Sequence, residues 1–318
     1  MIQIKKTGTH ISFSKKNLRK VQNKYSQTNL IKIQKFLDKS LLKFIQQTVR
    51  SAEFYPRTDR GIATESCMRQ NTGINAMHFL LNDPALFKAV ERITGCKKIG
   101  CFAGRMYSLI PGRGHYDHWH NDIDVRHLRY VGISVNLSER VYQGGVFKIR
   151  NRFSKKITAQ IANTGFGNAF LFRISKKLQH RVTMPTGRNP RTVLAGWFLP
   201  KKRGVSFMRL GSDGTVLTKM KTRRPDNRPV SRVQIPDEVV SKRTASGRLV
   251  VNAKTRICLR LDGIASHFWE LLEELKDVKA VSRAIQKEYE VDPVRLEKDL
   301  KFYVKRLMFK GLLIRVKD

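Results

Sequence analysis

The sequence predicts an α+β fold, with helices first, then a β-sandwich or jelly roll, then a small domain of one hairpin and three helices. Three observations predict it. Apolar residues recur every four positions near the start, short strand-like segments follow from about residue 100, and capped helical segments close the chain. With 318 residues, 41% of them apolar, the chain is long enough for about two domains.

The N-terminal part predicts two helices. Residues 30–50 carry an apolar stripe at spacings of four, which indicates a helix with one inward face. A second helix is predicted to begin after Asp83 as N-cap, with Pro84 at its first position, and to end before Gly95. The stripe of the first helix consists of Ile33, Leu37, Leu41, Ile45 and Val49.

From about residue 100 the pattern changes to short strands separated by Gly, Pro and Asn turns, which is typical of a β-sandwich or jelly roll. The predicted strands are RMYSLI, YVGISVNLS, GGVFKIRN, NAFLFRIS, HRVTMP and TVLAGWFL. Residues 201–232 contain ten Lys/Arg and little apolar periodicity, so they are predicted to be a basic linker between domains at 1–200 and 233–318.

The second domain opens with a predicted hairpin, VVSKRT and GRLVVNA. Three helices follow at roughly 264–275, 278–290 and 293–310. The last helix has Asp292 as its cap, Pro293 at its start and Gly311 just past its end.

The charge is strongly positive, with 63 Lys+Arg against 25 Asp+Glu and a net charge of +38. Residues 1–232 carry +33 of it and residues 233–318 only +5. A field of this sign attracts acidic peptides, nucleic acid or anionic lipid surfaces, and it governs encounter and solubility, not fold.

No run of 18 apolar residues and no cleavable apolar leader is visible, so we expect a cytoplasmic protein without a membrane partner. Four scattered cysteines in a chain of this length predict reduced, mostly buried thiols and no disulfide scaffold.

The stretch HYDHWHNDIDVRH, residues 115–127, holds four of the eight histidines and three aspartates. A mononuclear iron(II) oxygenase needs two imidazoles and one carboxylate on one side of the metal, because the remaining positions must accept co-substrate and oxygen. His120 and Asp122, two residues apart on an extended segment, would point to the same side. The third ligand must come from a distant strand, and His180 is the sole histidine between 128 and 266.

Residues 106–198 resemble the prolyl-hydroxylase-like branch of the iron(II)/2-oxoglutarate oxygenases. The resemblance lies in MYSLIPG, HND, ISVNLSERVYQGGVFKIR, GFGNAFLF, QHRV and RTVLAGWF, in that order. It implies a double-stranded β-helix (jelly roll) and hydroxylation of an unactivated C–H bond, with Fe(II), 2-oxoglutarate and O2 required and ascorbate a further candidate. It also implies His120, Asp122 and His180 as catalytic metal ligands.

The same resemblance implies that Arg191 pairs with the distal carboxylate of 2-oxoglutarate, for which a planar guanidinium is well suited. Val193 stands where this family often has Ser or Thr. The second contact to the co-substrate is therefore open, with Tyr107 and Ser108 as candidates. Trp197 and the Gly144–Gly145 pair are expected to be structural.

Two rival interpretations concern the same histidine cluster. His115 and Asp117 also form an HxD pair, although the interval from there to Asn136 favours the later pair. HWHND is also similar to the HxHxD opening of zinc hydrolases of the metallo-β-lactamase type, but Ile123 stands where that motif needs a second histidine. The remaining histidines of the cluster, His115, His118 and His127, are expected beside the site or at the surface.

Residues 233–318 resemble a PqqD-like peptide-binding domain through the hairpin, LDGIASHFWELL and the closing GLL. The resemblance implies a winged helix-turn-helix-like domain that binds a leader peptide by strand addition, with the contact expected on the strand around Leu249 to Val251 and on the neighbouring helix. Tethering a hydroxylase to such a domain raises the local concentration of the precursor peptide. The sequence therefore predicts a hydroxylase of a ribosomally synthesised precursor peptide, which the basic charge would suit if it is acidic.

Two alternatives stay open at this point. A nucleic-acid-associated protein would use the basic surface and the winged-helix-like domain for phosphate contacts. An inactive oxygenase fold would serve as a scaffold. The precursor, the residue modified, the outcome of the reaction and the oligomeric state are not determined by the sequence.

Overall fold

A computed structural model describes residues 1–59, 61–123, 129–200, 230–245, 247–289 and 291–316. The chain divides into two compact units, Met1–Val205 and Ser206–Asp318. The predicted basic linker, 201–232, lies outside the described residues except for its last three positions. Across the described ranges, no helix is both long and apolar enough to cross a membrane.

The first unit contains four helices and fifteen strands among its described residues. The helices are α1 (Lys15–Thr28), α2 (Lys39–Arg50), α3 (Thr72–Leu81) and α4 (Pro84–Thr94). The strands are β1 (Ile2–Lys5), β2 (Gly8–Ile11), β3 (Leu30–Ile33), β4 (Phe54–Asp59), β5 (Ala63–Met68), β6 (Cys101–Leu109), β7 (Tyr116–Asp117), β8 (Val131–Asn136), β9 (Gln143–Gly144), β10 (Phe147–Asn151), β11 (Ile157–Ile161), β12 (Ala169–Arg173), β13 (Leu178–Val182), β14 (Pro185–Thr186) and β15 (Arg191–Leu199).

Two antiparallel sheets form the β-part of this unit. The major sheet has eight strands in the order β3-β12-β8-β15-β6-β5-β4, with β7 added to β5. The minor sheet has three strands in the order β11-β10-β13. One apolar cluster combines Phe170 and Phe172 of β12 with Phe147 of β10 and Leu178 of β13, so the inner faces of the two sheets pack on each other.

The other face of the major sheet is covered by helices. Phe87 of α4 packs edge-on against Phe198 of β15, and Phe198 contacts Phe102 of β6, with ring centroids 6.1 and 5.6 Å apart. The helix predicted after Asp83 is α4: Asp83 Oδ1 accepts a hydrogen bond from the Ala85 amide, and Gly95 ends the helix at a φ of 66°.

The prediction of a single helix over residues 30–50 is wrong. Its first part is strand β3, which pairs with β12, and only α2 is helical. Lys35 has a φ of 51°, which breaks a continuous helix, and Asp38 starts α2 by accepting a hydrogen bond from the Leu41 amide. An apolar spacing of four persisted across this break because β3 and α2 both face the core.

The second unit contains three helices and five strands among its described residues. They are β16 (Val233–Gln234), β17 (Val239–Thr244), β18 (Gly247–Asn252), β19 (Ile257–Leu261), α5 (Gly263–Leu275), α6 (Val278–Glu288), α7 (Pro293–Phe309) and β20 (Ile314–Arg315). The predicted hairpin is β17–β18, and β19, which the sequence analysis missed, extends it to three strands in the order β17-β18-β19. The winged-helix description of this unit stays a prediction.

Candidate metal centre

Two of the predicted metal ligands, both histidines, are joined through their backbones. His120 and His180 form an antiparallel bridge outside the regular strands. The His120 amide donates to the His180 carbonyl at 3.1 Å, and the His180 amide donates to the His120 carbonyl at 2.8 Å. This pairing holds His120, which precedes β8, against His180 in β13. Two imidazoles that lie 60 residues apart in sequence are thereby brought together.

His120, Asp122 and His180 come together as one group of potential ligands, with their donor atoms all within 4.8 Å of one another. His180 Nε2 lies 3.2 Å from Asp122 Oδ2, and His120 Nε2 lies 3.7 Å from Asp122 Oδ1. Their side chains are only 16%, 11% and 10% exposed in the order His120, Asp122, His180. Two imidazoles and one carboxylate at one point are the donor set that suits a non-haem iron(II).

The tautomer of His120 is set by its neighbour. His120 Nδ1 lies 2.7 Å from the carbonyl oxygen of His118, which can only accept a hydrogen bond. Nδ1 therefore donates this hydrogen bond, and Nε2 lies on the side of Asp122. An imidazole oriented in this way is positioned to bind a metal through Nε2.

Asp122 is held by two residues of which neither was predicted to be functional. Trp197 Nε1 donates to Asp122 Oδ2 at 2.7 Å, and Arg129 Nη1 lies 3.4 Å from Asp122 Oδ1. Arg129 also stacks on Trp197, with its guanidinium carbon 3.9 Å from the ring centroid. Burial alone would raise the pKa of Asp122, but His180, His120 and the Trp197 hydrogen bond together hold it well below its usual value.

The expectation that Trp197 merely packs in the sandwich is therefore incomplete. Trp197 lies on β15 six residues after Arg191, and in a strand such even spacing puts both side chains on one face. Alternation thus carried a signal that Trp197 faces the same cavity as Arg191. The contact of Arg129 had no comparable signal in the sequence.

A cavity of about 440 Å³ opens beside the three potential ligands, and Arg191 and Tyr107 both line it. Arg191 is 2% exposed, and its Nε and Nη1 atoms have no hydrogen-bond acceptor among the described residues. Arg191 Nη2 lies 3.4 Å from Ser134 Oγ. A buried guanidinium with unsatisfied donors facing a cavity is arranged to receive an anion such as a carboxylate.

One glycine of the Gly144–Gly145 pair makes room for the Arg191 side chain. Gly145 has a φ of 58°, and a Cβ atom there would lie 2.7 Å from Arg191 Cδ. A side chain at position 145 would displace Arg191. Gly145 is therefore required for the position of Arg191 as well as for the positive φ of the turn.

The two candidates for the second co-substrate contact lie in different places. Tyr107 lines the cavity, whereas Ser108 Oγ is hydrogen-bonded to Thr192 Oγ1 at 2.8 Å. Ser108 and Thr192 pair in register between β6 and β15, on the face opposite to Tyr107 and Val193. Of the two candidates, only Tyr107 can contact a ligand in the cavity.

The rival register does not form a ligand group among the described residues. His115 Nδ1 accepts a hydrogen bond from the Ile110 amide at 2.9 Å, so His115 stabilises the turn before the site. Asp117 Oδ1 instead lies 3.5 Å from His120 Nδ1, and burial raises the pKa of Asp117 to about 6.

The zinc-hydrolase alternative also lacks its ligands. The His118 ring is exposed and stacks on Tyr116, with centroids 4.8 Å apart, and it is not part of the ligand group. His127 lies outside the described residues.

We expect Trp197→Phe to weaken Fe(II) binding about tenfold, because it removes the indole N–H that orients Asp122 while keeping an aromatic ring for Arg129. Anaerobic calorimetric titration with Fe(II) measures the effect. Trp119→Phe is the matched control, because Trp119 packs against Arg150 and makes no contact with Asp122. Unchanged affinity in Trp197→Phe would contradict the role of this hydrogen bond.

The expected peptide contact on Leu249 to Val251 is wrong in one respect. These residues belong to β18, which is hydrogen-bonded to β17 on one side and to β19 on the other. A central strand has no free edge, so an added strand can pair only with β17 or β19. A second cavity lies between α5 and α7, lined by Ala265, Phe268, Asp299, Phe302, Tyr303 and Arg306.

Comparison with known proteins confirms the PqqD-like resemblance: residues 247–313 match the family model of coenzyme PQQ synthesis protein D (PqqD). No curated protein sequence matches the chain. A solved structure of TbiB1 in complex with the TbiA(beta) leader peptide is 34% identical, covering 27% of this chain and 99% of that one, with a TM-score of 0.26.

Two other similar solved structures are oxygenases. A prolyl-4-hydroxylase from Pseudomonas putida is 16% identical and covers 58% of this chain and 100% of that one, with a TM-score of 0.43. A 2OG-Fe(II) oxygenase family oxidoreductase from Burkholderia pseudomallei is 12% identical and covers 63% and 96%, also with a TM-score of 0.43.

Proposed function

We propose that the first unit is a double-stranded β-helix oxygenase that uses Fe(II) and 2-oxoglutarate to hydroxylate a side chain of a ribosomally synthesised precursor peptide. The observation that carries this proposal is the group of His120, Asp122 and His180 in one cavity with the unsatisfied guanidinium of Arg191. This reaction needs an iron site with open coordination positions and an anchor for a dicarboxylate. The three potential ligands would supply the first, and the buried Arg191 guanidinium would supply the second.

His120, Asp122 and His180 would hold the iron, and their donor set fits a metal that keeps open coordination positions. Bound there, iron supplies the activation of oxygen that a protein side chain cannot provide. Trp197 and Arg129 position the Asp122 carboxylate, and the His118 carbonyl holds the proton on His120 Nδ1. The protein's part is to fix the geometry of the ligands before the metal arrives.

Arg191 would bind the distal carboxylate of 2-oxoglutarate, with Tyr107 beside it in the same cavity. Phe147 and Phe172 pack against the His180 ring, with centroids 5.4 and 4.8 Å away. These rings keep water away from one side of the ligand group and prevent His180 from rotating.

The second unit would capture the leader part of the precursor. The edge of β19 is the favoured pairing site, because α5 begins directly after β19 and its first turn lines the second cavity. The β17–β18 side is tied to α5 instead: Arg248 Nη2 lies 2.9 Å from Glu270 Oε1 and its Nη1 lies 2.9 Å from Ser241 Oγ. Capture in one chain raises the concentration of the core segment at the oxygenase.

The alternative of a nucleic-acid-associated protein has no support in the comparisons with known proteins. Helix α7, which would have to contact phosphates, presents Glu297 paired with Lys301 at 2.7 Å and Asp299 beside Arg295 at 3.9 Å. These carboxylates neutralise the cations that a phosphate would need.

Incubation of the full chain with Fe(II), 2-oxoglutarate, oxygen and a candidate precursor peptide tests the proposal. We expect the peptide to gain one oxygen atom and an equal amount of 2-oxoglutarate to become succinate, as measured by mass spectrometry. Turnover of 2-oxoglutarate that no peptide stimulates would contradict the peptide substrate.

We expect Phe302→Ala to weaken leader-peptide binding about tenfold, because Phe302 lines the second cavity and is 69% exposed, ready to cover an apolar side chain of the peptide. Fluorescence anisotropy of a labelled leader peptide measures the change. Val294→Ala is the matched control, since Val294 is 77% exposed on the same helix and does not line that cavity. Equal losses in both variants would place the peptide elsewhere.

A further inference from the structure

The outer face of the minor sheet is a cationic surface that the oxygenase reaction does not use. Lys148 and Arg150 on β10 alternate with the inward Phe147 and Ile149, and Arg181 on β13 follows the inward His180. We call Lys148, Arg150 and Arg181, together with Trp119, the basic face. Its three cations lie within a span, residues 140–200, that contains twelve Lys/Arg and no Asp or Glu.

The cations of the basic face oppose one another. Lys148 stands directly across from Arg181 in the β10–β13 register, and like charges directly opposite destabilise a sheet. Among the residues that the structure describes, none of the three cations forms an ion pair with a carboxylate. Arg181 Nε is buried and has no hydrogen-bond acceptor among the described residues. This arrangement costs stability that a bound anion would return.

Trp119 holds the two guanidiniums in place. The Arg150 guanidinium carbon lies 4.2 Å and that of Arg181 5.1 Å from its ring centroid. Arg150 also donates to Gln179 Oε1 from Nε and Nη2, at 3.1 and 2.9 Å. Two guanidiniums fixed by stacking lose little further entropy when a carboxylate binds to them.

We propose that the basic face binds an acidic segment of the substrate peptide. The inference rests on the proposed function, and it adds the chemistry of a second recognition element. Guanidinium forks match the planar geometry of Asp and Glu carboxylates. The ring of Trp119 is already in contact with two arginines, so it offers no platform for stacking a nucleobase, which single-stranded nucleic acid would need.

The basic face is also directly connected to the metal centre. Trp119 precedes His120 and Arg181 follows His180, and these two histidines are the pair that is bridged through the backbone. A peptide held on the basic face therefore binds to the same two chain segments that carry two of the potential ligands. This anchoring limits how far the core segment can move from the cavity.

Fluorescence anisotropy of a labelled peptide of ten glutamates with the full-length protein tests the proposal. We expect Arg150→Gln/Arg181→Gln to bind the probe about tenfold more weakly than the unsubstituted chain, with the difference shrinking as salt is raised. Lys16→Gln/Lys20→Gln is the matched control, because it removes the same charge from exposed positions on α1. The control should retain nearly all of the affinity.

Equal losses in the two double variants would overturn the proposal, because net charge alone would then explain binding. A decamer of thymidylate that binds as tightly as the glutamate peptide and is lost with the same variant would also overturn it, in favour of a phosphate surface. Lys148→Gln/Arg150→Gln leaves Arg181, the residue next to His180, unchanged. We expect this variant to lose the same affinity, which would show that the loss does not come from a disturbed metal centre. Failure of the proposed function would appear separately, as no gain of oxygen by any peptide in the unsubstituted protein.

Discussion

Replacing His180 with alanine should abolish the proposed peptide hydroxylation and weaken Fe(II) binding by more than about 100-fold. Loss of a contact that only orients a ligand already costs roughly 10- to 100-fold in metal affinity, so loss of a ligand itself must cost more. His180 Nε2 lies 3.2 Å from Asp122 Oδ2, and the only other histidine of this group among the described residues is His120, which is itself a potential ligand. Anaerobic titration and mass measurement of the peptide check the two parts.

His118→Ala is the matched control for this experiment. His118 lies in the same cluster and its side chain is exposed, while its backbone carbonyl, which holds the His120 proton, is retained in the variant. We expect metal affinity and activity to stay close to those of the unsubstituted chain. A His180→Ala protein that still binds iron tightly and oxidises the peptide would show that the metal lies elsewhere.

Replacing Arg191 with lysine should raise the KM for 2-oxoglutarate roughly 10- to 100-fold, the loss expected for hydrogen bonds to a charged group. Lysine keeps the positive charge but presents a single ammonium in place of a planar fork. Arg191 is buried, and its Nε and Nη1 have no acceptor among the described residues, so a carboxylate would use donors that lysine lacks. The turnover number should fall less than the KM rises, because Arg191 does not contact the reacting carbon.

Arg188→Lys controls for the effect of an Arg-to-Lys change in the same segment, since Arg188 is exposed and does not line the cavity. Steady-state kinetics with varied 2-oxoglutarate separates KM from turnover. If the KM of Arg191→Lys were unchanged while that of Arg188→Lys rose, the co-substrate would be anchored outside the cavity.

Six strands of the first unit were predictable because they carry apolar residues at inward positions and are bounded by turn residues: β6, β8, β10, β12, β13 and β15. The sequence analysis did not predict β7, β9, β11 and β14. Helix α4 was predictable because Asp83, Pro84 and Gly95 mark both of its ends. The break between β3 and α2 was not, since a spacing of four apolar residues continues through a positive φ at Lys35. Periodicity reports which residues face the core, and here it did not distinguish the strand from the helix.

The same limit applies to the peptide-binding unit. The hairpin β17–β18 was visible as two apolar runs around a glycine, but β19 was not recognised. Without the third strand, β18 seemed to be an edge that a leader peptide could extend. Which strand is an edge depends on pairing, and pairing is a property of the whole sheet.

The sequence by itself determined the donor types and their spacing: His120 and Asp122 two residues apart, a single later histidine at 180, and an arginine on the following strand. It also indicated a PqqD-like domain at residues 233–318, of which residues 247–313 match the family model. Only the tertiary structure decided that these side chains meet, because the backbone bridge between His120 and His180 joins segments far apart in the chain. It likewise decided the contacts of Trp197 and Arg129 with Asp122, since hydrogen bonds between distant segments depend on sheet packing, which no local pattern encodes.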